Sequence, residues 1–205
     1  MRGVSASELD DHELQDIKID FHYIPGGTAN DVIELLKHRI TLADQDVKYI
    51  LSLFQNDIRG FGEDGTSNEF MVNNVSAQLN QISELVEEMN TTRGLTHKVV
   101  IAEEHYVPEL KNYHWKIHRL NESIWEWNVN QGVASLKLWK AVMKTANTKA
   151  AKEANPTGLK VIDSYWKEFV ERGLPGYHLK DGRPKQQVSK FLRRYFRDDS
   201  NWNKY

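Results

Sequence analysis

The densest chemistry in the sequence lies near its end. Lys180, Arg183, Lys185, Lys190, Arg193, Arg194 and Arg197 fall within eighteen residues, interleaved with Tyr177, Phe191 and Tyr195. Guanidinium and ammonium groups on a firm surface hold phosphate oxygens, and aromatic neighbours add stacking faces, so this is a candidate nucleic-acid contact. Further back, His114, His118 and Glu122 are spaced four apart. On a helix they would line one stripe, a spacing that can coordinate a divalent cation, but Trp115 stands where a HExxH motif needs glutamate. Surface histidines are the simpler reading, and no metal or other cofactor is expected. Glu103, Glu104, Glu122 and Glu126 are the carboxylates that would have to pair for a remote glycosidase of the cell-wall type. Gly60-Phe61-Gly62 lacks the third glycine and the preceding strand of a phosphate loop, and no Gly-x-Ser-x-Gly elbow occurs. With no cysteine in the chain, disulfides, thiolate metal sites and thiol catalysis are excluded.

Charge is divided along the chain. Residues 1–135 carry 22 Asp and Glu against 11 Lys and Arg, whereas residues 136–205 carry 7 against 16. A contiguous basic third fits a polyanion, or the acidic part of a neighbouring subunit. Forty per cent hydrophobic content suits a globular core, and no apolar run reaches the ~18 residues of a membrane helix. The N-terminus shows no signal-peptide pattern, so a cytoplasmic or virion location is expected and no membrane partner.

The elements that position these groups read as helical. Thr28 with Asp31 forms a capping-box-like start to a helix bearing Val32, Ile33, Leu36 and Ile40. Thr41 with Asp44 repeats the signal before Val47, Ile50, Leu51 and Phe54, which predicts a helical hairpin. Arg59 to Ser67 holds three glycines and reads as a mobile loop or linker. Val72, Val75, Leu79, Ile82, Val86 and Met89 then repeat at three-four spacing, up to a stop at Gly94. Leu110, Tyr113, Ile117, Leu120, Ile124 and Trp127 make a second such seam, with a short apolar run from Val99 to Ala102 between the two. Antiparallel packing within one chain is one expectation, and a homo-oligomer through residues 72–89 and 110–127 is the other. Leu136, Trp139, Met143 and Ala146 mark a further helix, and Leu159, Ile162, Trp166 and Phe169 another after the turn Asn155 to Gly158. Asp181-Gly182 suits a tight hairpin turn, and Pro184 can open a last helix carrying Val188, Phe191, Leu192 and Tyr195.

The expected fold is therefore all-α. It is a helical bundle with an N-terminal helical hairpin and a C-terminal helix-turn-helix-like region with a short hairpin. Three segments follow: an acidic helical region 1–62, a long-helix core 63–147 and a basic region 148–205. Residues 148–195, with Gly173-Leu174-Pro175 closing a helix and a basic Gly turn before the next, resemble the winged helix-turn-helix modules of excisionases, MerR-type regulators and some phage packaging small subunits. The resemblance implies DNA binding through the basic wing and helix. In place of the family's hydroxyl-rich second helix stands Leu159-Lys160-Val161, which favours backbone contact over base reading. The function expected is non-enzymatic contact with nucleic acid, DNA more than RNA. A structural or assembly role, with charged halves binding neighbouring subunits, is the alternative, and a cell-wall hydrolase the third.

Overall fold

A computed structural model of the chain describes residues 22, 24, 27–54, 57, 68–104, 114–137, 143–145, 159–161 and 183–202. Among these the chain is mainly helical, and no described helix is long and apolar enough to cross a membrane. Residues form two compact units. One comprises 24–104, 116–136 and 200–205, and the other comprises 1–23, 105–115 and 137–199.

The first unit is a helix-covered parallel strand pair. Helix α1 (Ala29–Leu42) starts at the Thr28 cap, where the Thr28 N–H donates to Asp31 Oδ2 at 2.8 Å. Ala29, Ile33, Leu36 and Ile40 make its buried face. The second arm of the expected hairpin is not a helix. Lys48–Leu51 is strand β1, paired in parallel with β2 (Lys98–Ile101) in the register Lys48 to Lys98 through Leu51 to Ile101. A segment of four residues fits either period, and β-branched Val99, Val100 and Ile101 supply the partner that decides it. Strands drawn from either side of residue 62 thus share one sheet, which helix α2 (Asn68–Arg93) connects. A parallel pair needs such a crossover. Val99, Val100, Ile101 and Ala102 are all buried, so β2 has no solvent face and is covered on both sides.

The first seam lies on α2, and the second from Ile117 to Trp127 on α3 (His114–Asn130), while Leu110 and Tyr113 lie outside the described residues. Val75, Leu79, Ile82 and Val86 are buried on α2, and Ile117, Leu120, Ile124 and Trp127 on α3. Met71 begins the first seam, one residue before the expected Val72, which is half-buried. The helices meet where Trp127 Nε1 donates to the Leu79 carbonyl at 3.0 Å and to Ser83 Oγ at 2.9 Å. The buried seam residues of α2 and α3 are thus covered within a single chain. Gly94 and Gly132, at φ 65° and 68°, take the left-handed conformation that ends each helix. Trp202, fully buried, belongs to the same unit, with the Lys48 ammonium 5.3 Å from its ring and Lys98 Nζ donating to its carbonyl.

In the second unit, β3 (Met143–Thr145) pairs antiparallel with β4 (Leu159–Val161). Both ranges were expected to be helical, and Leu159 to Val161 opens the second helix in the helix-turn-helix reading. Leu-Lys-Val alternates polarity with period two, and three residues do not discriminate that from a helical stripe. Helix α4 (Arg183–Arg197) is present as the start at Pro184 predicted. The linker 59–67 and the hairpin turn at Asp181-Gly182 lie outside the described residues.

Candidate functional site

The carboxyl ends of β1 and β2 gather polar groups from four segments. Glu103 and Glu104 follow β2 directly and are 4% and 2% exposed. Glu104 Oε1 accepts the Phe54 N–H from the loop after β1 at 3.0 Å. Asn121 of α3 holds the Glu104 backbone on both sides: its Oδ1 accepts the N–H at 2.7 Å, and its Nδ2 donates to the carbonyl at 2.9 Å. Glu103 Oε1 accepts from Ser135 Oγ at 2.7 Å, and its N–H donates to the Leu136 carbonyl at 2.9 Å. Farther along the chain after β1, the helical residue Asp57 accepts through Oδ2 the N–H of Ala29 at 3.0 Å, in the first turn of α1. An acid there meets unpaired helical N–H groups and the positive end of the helix dipole.

Burial sets the electrostatics. Loss of water pushes the Glu104 carboxyl up to about 7, the Phe54 N–H opposes that shift, and the Asp57 charge adds to it. Burial likewise raises Asp57, against the pull of the Ala29 N–H. Two carboxyl groups are thus held by backbone N–H donors within one rim, and one of them exchanges its proton near neutrality. Such a group can act as acid or base on a bound molecule.

Three asparagines keep β2 and its flanks in place. Asn128, fully buried, brackets Ile101 as a neighbouring strand would, with Ile101 N–H to Oδ1 at 2.9 Å and Nδ2 to the Ile101 carbonyl at 2.8 Å. Asn90 does the same for His97 at 2.7 and 3.1 Å, and Asn121 for Glu104. Side-chain amides complete a strand edge that would otherwise leave buried backbone groups unpaired. Sequence reasoning missed all three. The readable signal was Asn121 and Asn128, seven apart and adjoining the apolar seam of α3.

The basic residues singled out in the sequence divide. Lys190, Arg194 and Arg197 are exposed at positions i, i+4 and i+7 of α4, a single stripe. Val188, Leu192 and Tyr195 are buried at the same spacing on the opposite face, and burial raises the Tyr195 hydroxyl. Arg193 is half-buried and stands off the stripe. Arg183 and Lys185 lie in the first turn of α4, and Lys180 lies outside the described residues. Of the helical histidine stripe, His118 Nε2 stands 3.3 Å from Glu122 Oε1, and Arg119 also contacts Glu122 at 3.0 Å, an exposed group. The carboxylates considered for a glycosidase part company, since Glu103 and Glu104 are buried while Glu126 is exposed on α3. The chain matches no family model, no curated protein and no solved structure.

Proposed function

We propose that this protein binds a small polar ligand at the carboxyl ends of its parallel strands. The observation that carries the proposal is Glu104, buried just past β2, bonded to the loop leaving β1 and titrating near neutrality. Where parallel strands run side by side, their register fixes the points from which loops depart, and ligands are met outside the carboxyl ends. Asp57, bonded to the start of α1, supplies a second carboxyl group from the chain that follows β1. A polar ligand with a donor group suits this pair, and proton transfer through Glu104 extends binding to acid–base chemistry. Amide spectra of the full chain, recorded against a library of small amines, alcohols and amides, test it. Bound molecules should shift Ala29, Phe54 and Glu104 together, and hits that leave these three unmoved would sink the idea.

A second reading rests on the α4 stripe. We propose that Lys190, Arg194 and Arg197 contact a polyanion, nucleic acid foremost, through its backbone. Three cations on one exposed helical face, opposite an apolar stripe that anchors the helix, support phosphate contact without base reading.

A further inference from the structure

At the other end of β2, away from the acid rim, α2, the approach to β2 and the last turn of α3 line a half-open hollow of about 360 Å³. That volume falls in the lower part of the ~300 to 1,000 Å³ range of small-ligand sites. His97 lines it, is 2% exposed, and has no hydrogen-bond partner among the described residues at either ring nitrogen. Buried polar atoms are nearly always paired, so two orphans on one ring ask for a partner from outside the chain. The ring is held in place: Asn90 brackets the His97 backbone, and Tyr49 packs edge-on with centroids 6.0 Å apart.

We propose that this hollow binds a small neutral polyhydroxylated molecule, a sugar or polyol, with His97 as its anchor. The chemistry of the lining selects that class. Burial holds the His97 imidazole below its usual pKa, so at neutral pH it is uncharged, with one N–H donor and one acceptor nitrogen. The two nitrogens point to different sides of the ring and cannot both grip one planar edge, as a nucleobase would require. A hydroxyl serves either nitrogen, because it both donates and accepts. Glu87 and Gln131 add carboxylate and amide groups for further hydroxyls, and Val86 and Val99 add apolar surface for the C–H face of a sugar. Lys98 also lines the hollow, but its ammonium donates to the Trp202 carbonyl, so beside a neutral imidazole and the Glu87 carboxylate the lining does not favour an anion. The inference does not depend on the carboxyl-edge reading, since the two sites share no residue.

The test uses the full chain with its histidines labelled with ¹⁵N, titrated with D-glucose, D-mannose and sorbitol, and with uridine and inorganic phosphate alongside. At least one of the first three should shift both His97 ring nitrogens to a saturating limit. Thr91→Trp, a change at an exposed position of α2 that lines the hollow, should fill it and abolish the response while the helical signal persists. The proposal is overturned if none of the three sugars or polyols gives saturation, if only uridine or phosphate does, or if the response survives unchanged in Thr91→Trp.

Discussion

Glu104 accepts the backbone N–H of Phe54 at 3.0 Å, a buried bond between residues fifty positions apart. It fastens the loop that leaves β1 to the segment that leaves β2, just beyond the last paired residues, Leu51 and Ile101. The same carboxyl group is therefore both a brace between loops and the most perturbed acid of the rim.

That double role gives a pH dependence with a definite sign. The folded-state pKa of Glu104 is raised from 4.5 to about 7, so the folded protein holds a proton that the unfolded chain releases. The contribution is fully present below pH 4.5 and is lost as pH rises through about 7. At 1.36 kcal/mol per unit, the loss across that window is about 3 kcal/mol. Glu104→Gln keeps a carbonyl oxygen for the Phe54 N–H and cannot ionise. Its stability relative to the parent should thus rise by about that amount between pH 4.5 and pH 8 in urea melts. A constant difference between the two proteins across the window would show that Glu104 does not titrate as described.

Asn128→Ala should be costly for a different reason. It strips both backbone partners from Ile101, which is fully buried and has no water to replace them. Two unsatisfied groups at ~1 to 3 kcal/mol each suggest a loss of about 2 to 6 kcal/mol. Asn130→Ala, on the exposed last turn of the same helix, is the control and should change stability by less than about 0.5 kcal/mol. Equal effects from the two would mean that the amide does not complete the strand edge.

The seams make the third prediction. Leu79 is 4% exposed and Ile117 fully buried, so truncating either to Ala should destabilise by about 2 to 5 kcal/mol. The loss is expected to be independent of protein concentration, because the residues are covered within one chain. A concentration-dependent midpoint would instead point to a second copy at the seam.

What could be read in advance follows from the length of each signal. The α2 and α3 seams repeat through several turns, long enough for a 3.6-residue period to exclude a two-residue one. The Thr28 and Asp31 cap, the stop at Gly94 and the start of α4 at Pro184 are local chemistry, and local chemistry is legible. Lys48 to Leu51 is four residues, and its strand identity resides in Lys98 to Ile101, fifty positions away. The parallel sheet is thus a non-local property that no window over residues 41–54 contains. The rim was half visible: Glu103 and Glu104 stood out as carboxylates. What could not be seen was that Asn121 and the Phe54 N–H would hold Glu104 in a buried position. Asparagine beside an apolar seam reads as a solvent-facing residue until a strand edge is known to lie opposite it.

The stripe on α4 yields the last prediction. Lys190, Arg194 and Arg197 share one exposed face, and Arg193 does not belong to it. If the face meets a nucleic-acid backbone, each contact releases counterions and adds about 0.9 to the slope of log affinity against log salt on a duplex. Replacing the three by Gln should flatten that slope by about 2.7, measured by anisotropy with a mixed-sequence duplex between 50 and 200 mM salt, ranges in which such binding changes ~10³-fold or more for six or more contacts. Glutamine retains part of the aliphatic stem, and the buried Val188, Leu192 and Tyr195 are untouched, so helicity should hold. Arg193→Gln alone should alter the slope by much less than one stripe residue does. A parent protein that binds neither duplex nor single strand at 50 mM salt, or a triple variant with an unchanged slope, would remove nucleic acid as the partner of this face. An acidic protein surface would then be the candidate partner of the stripe, which a pull-down with residues 1–90 of a second copy would reveal.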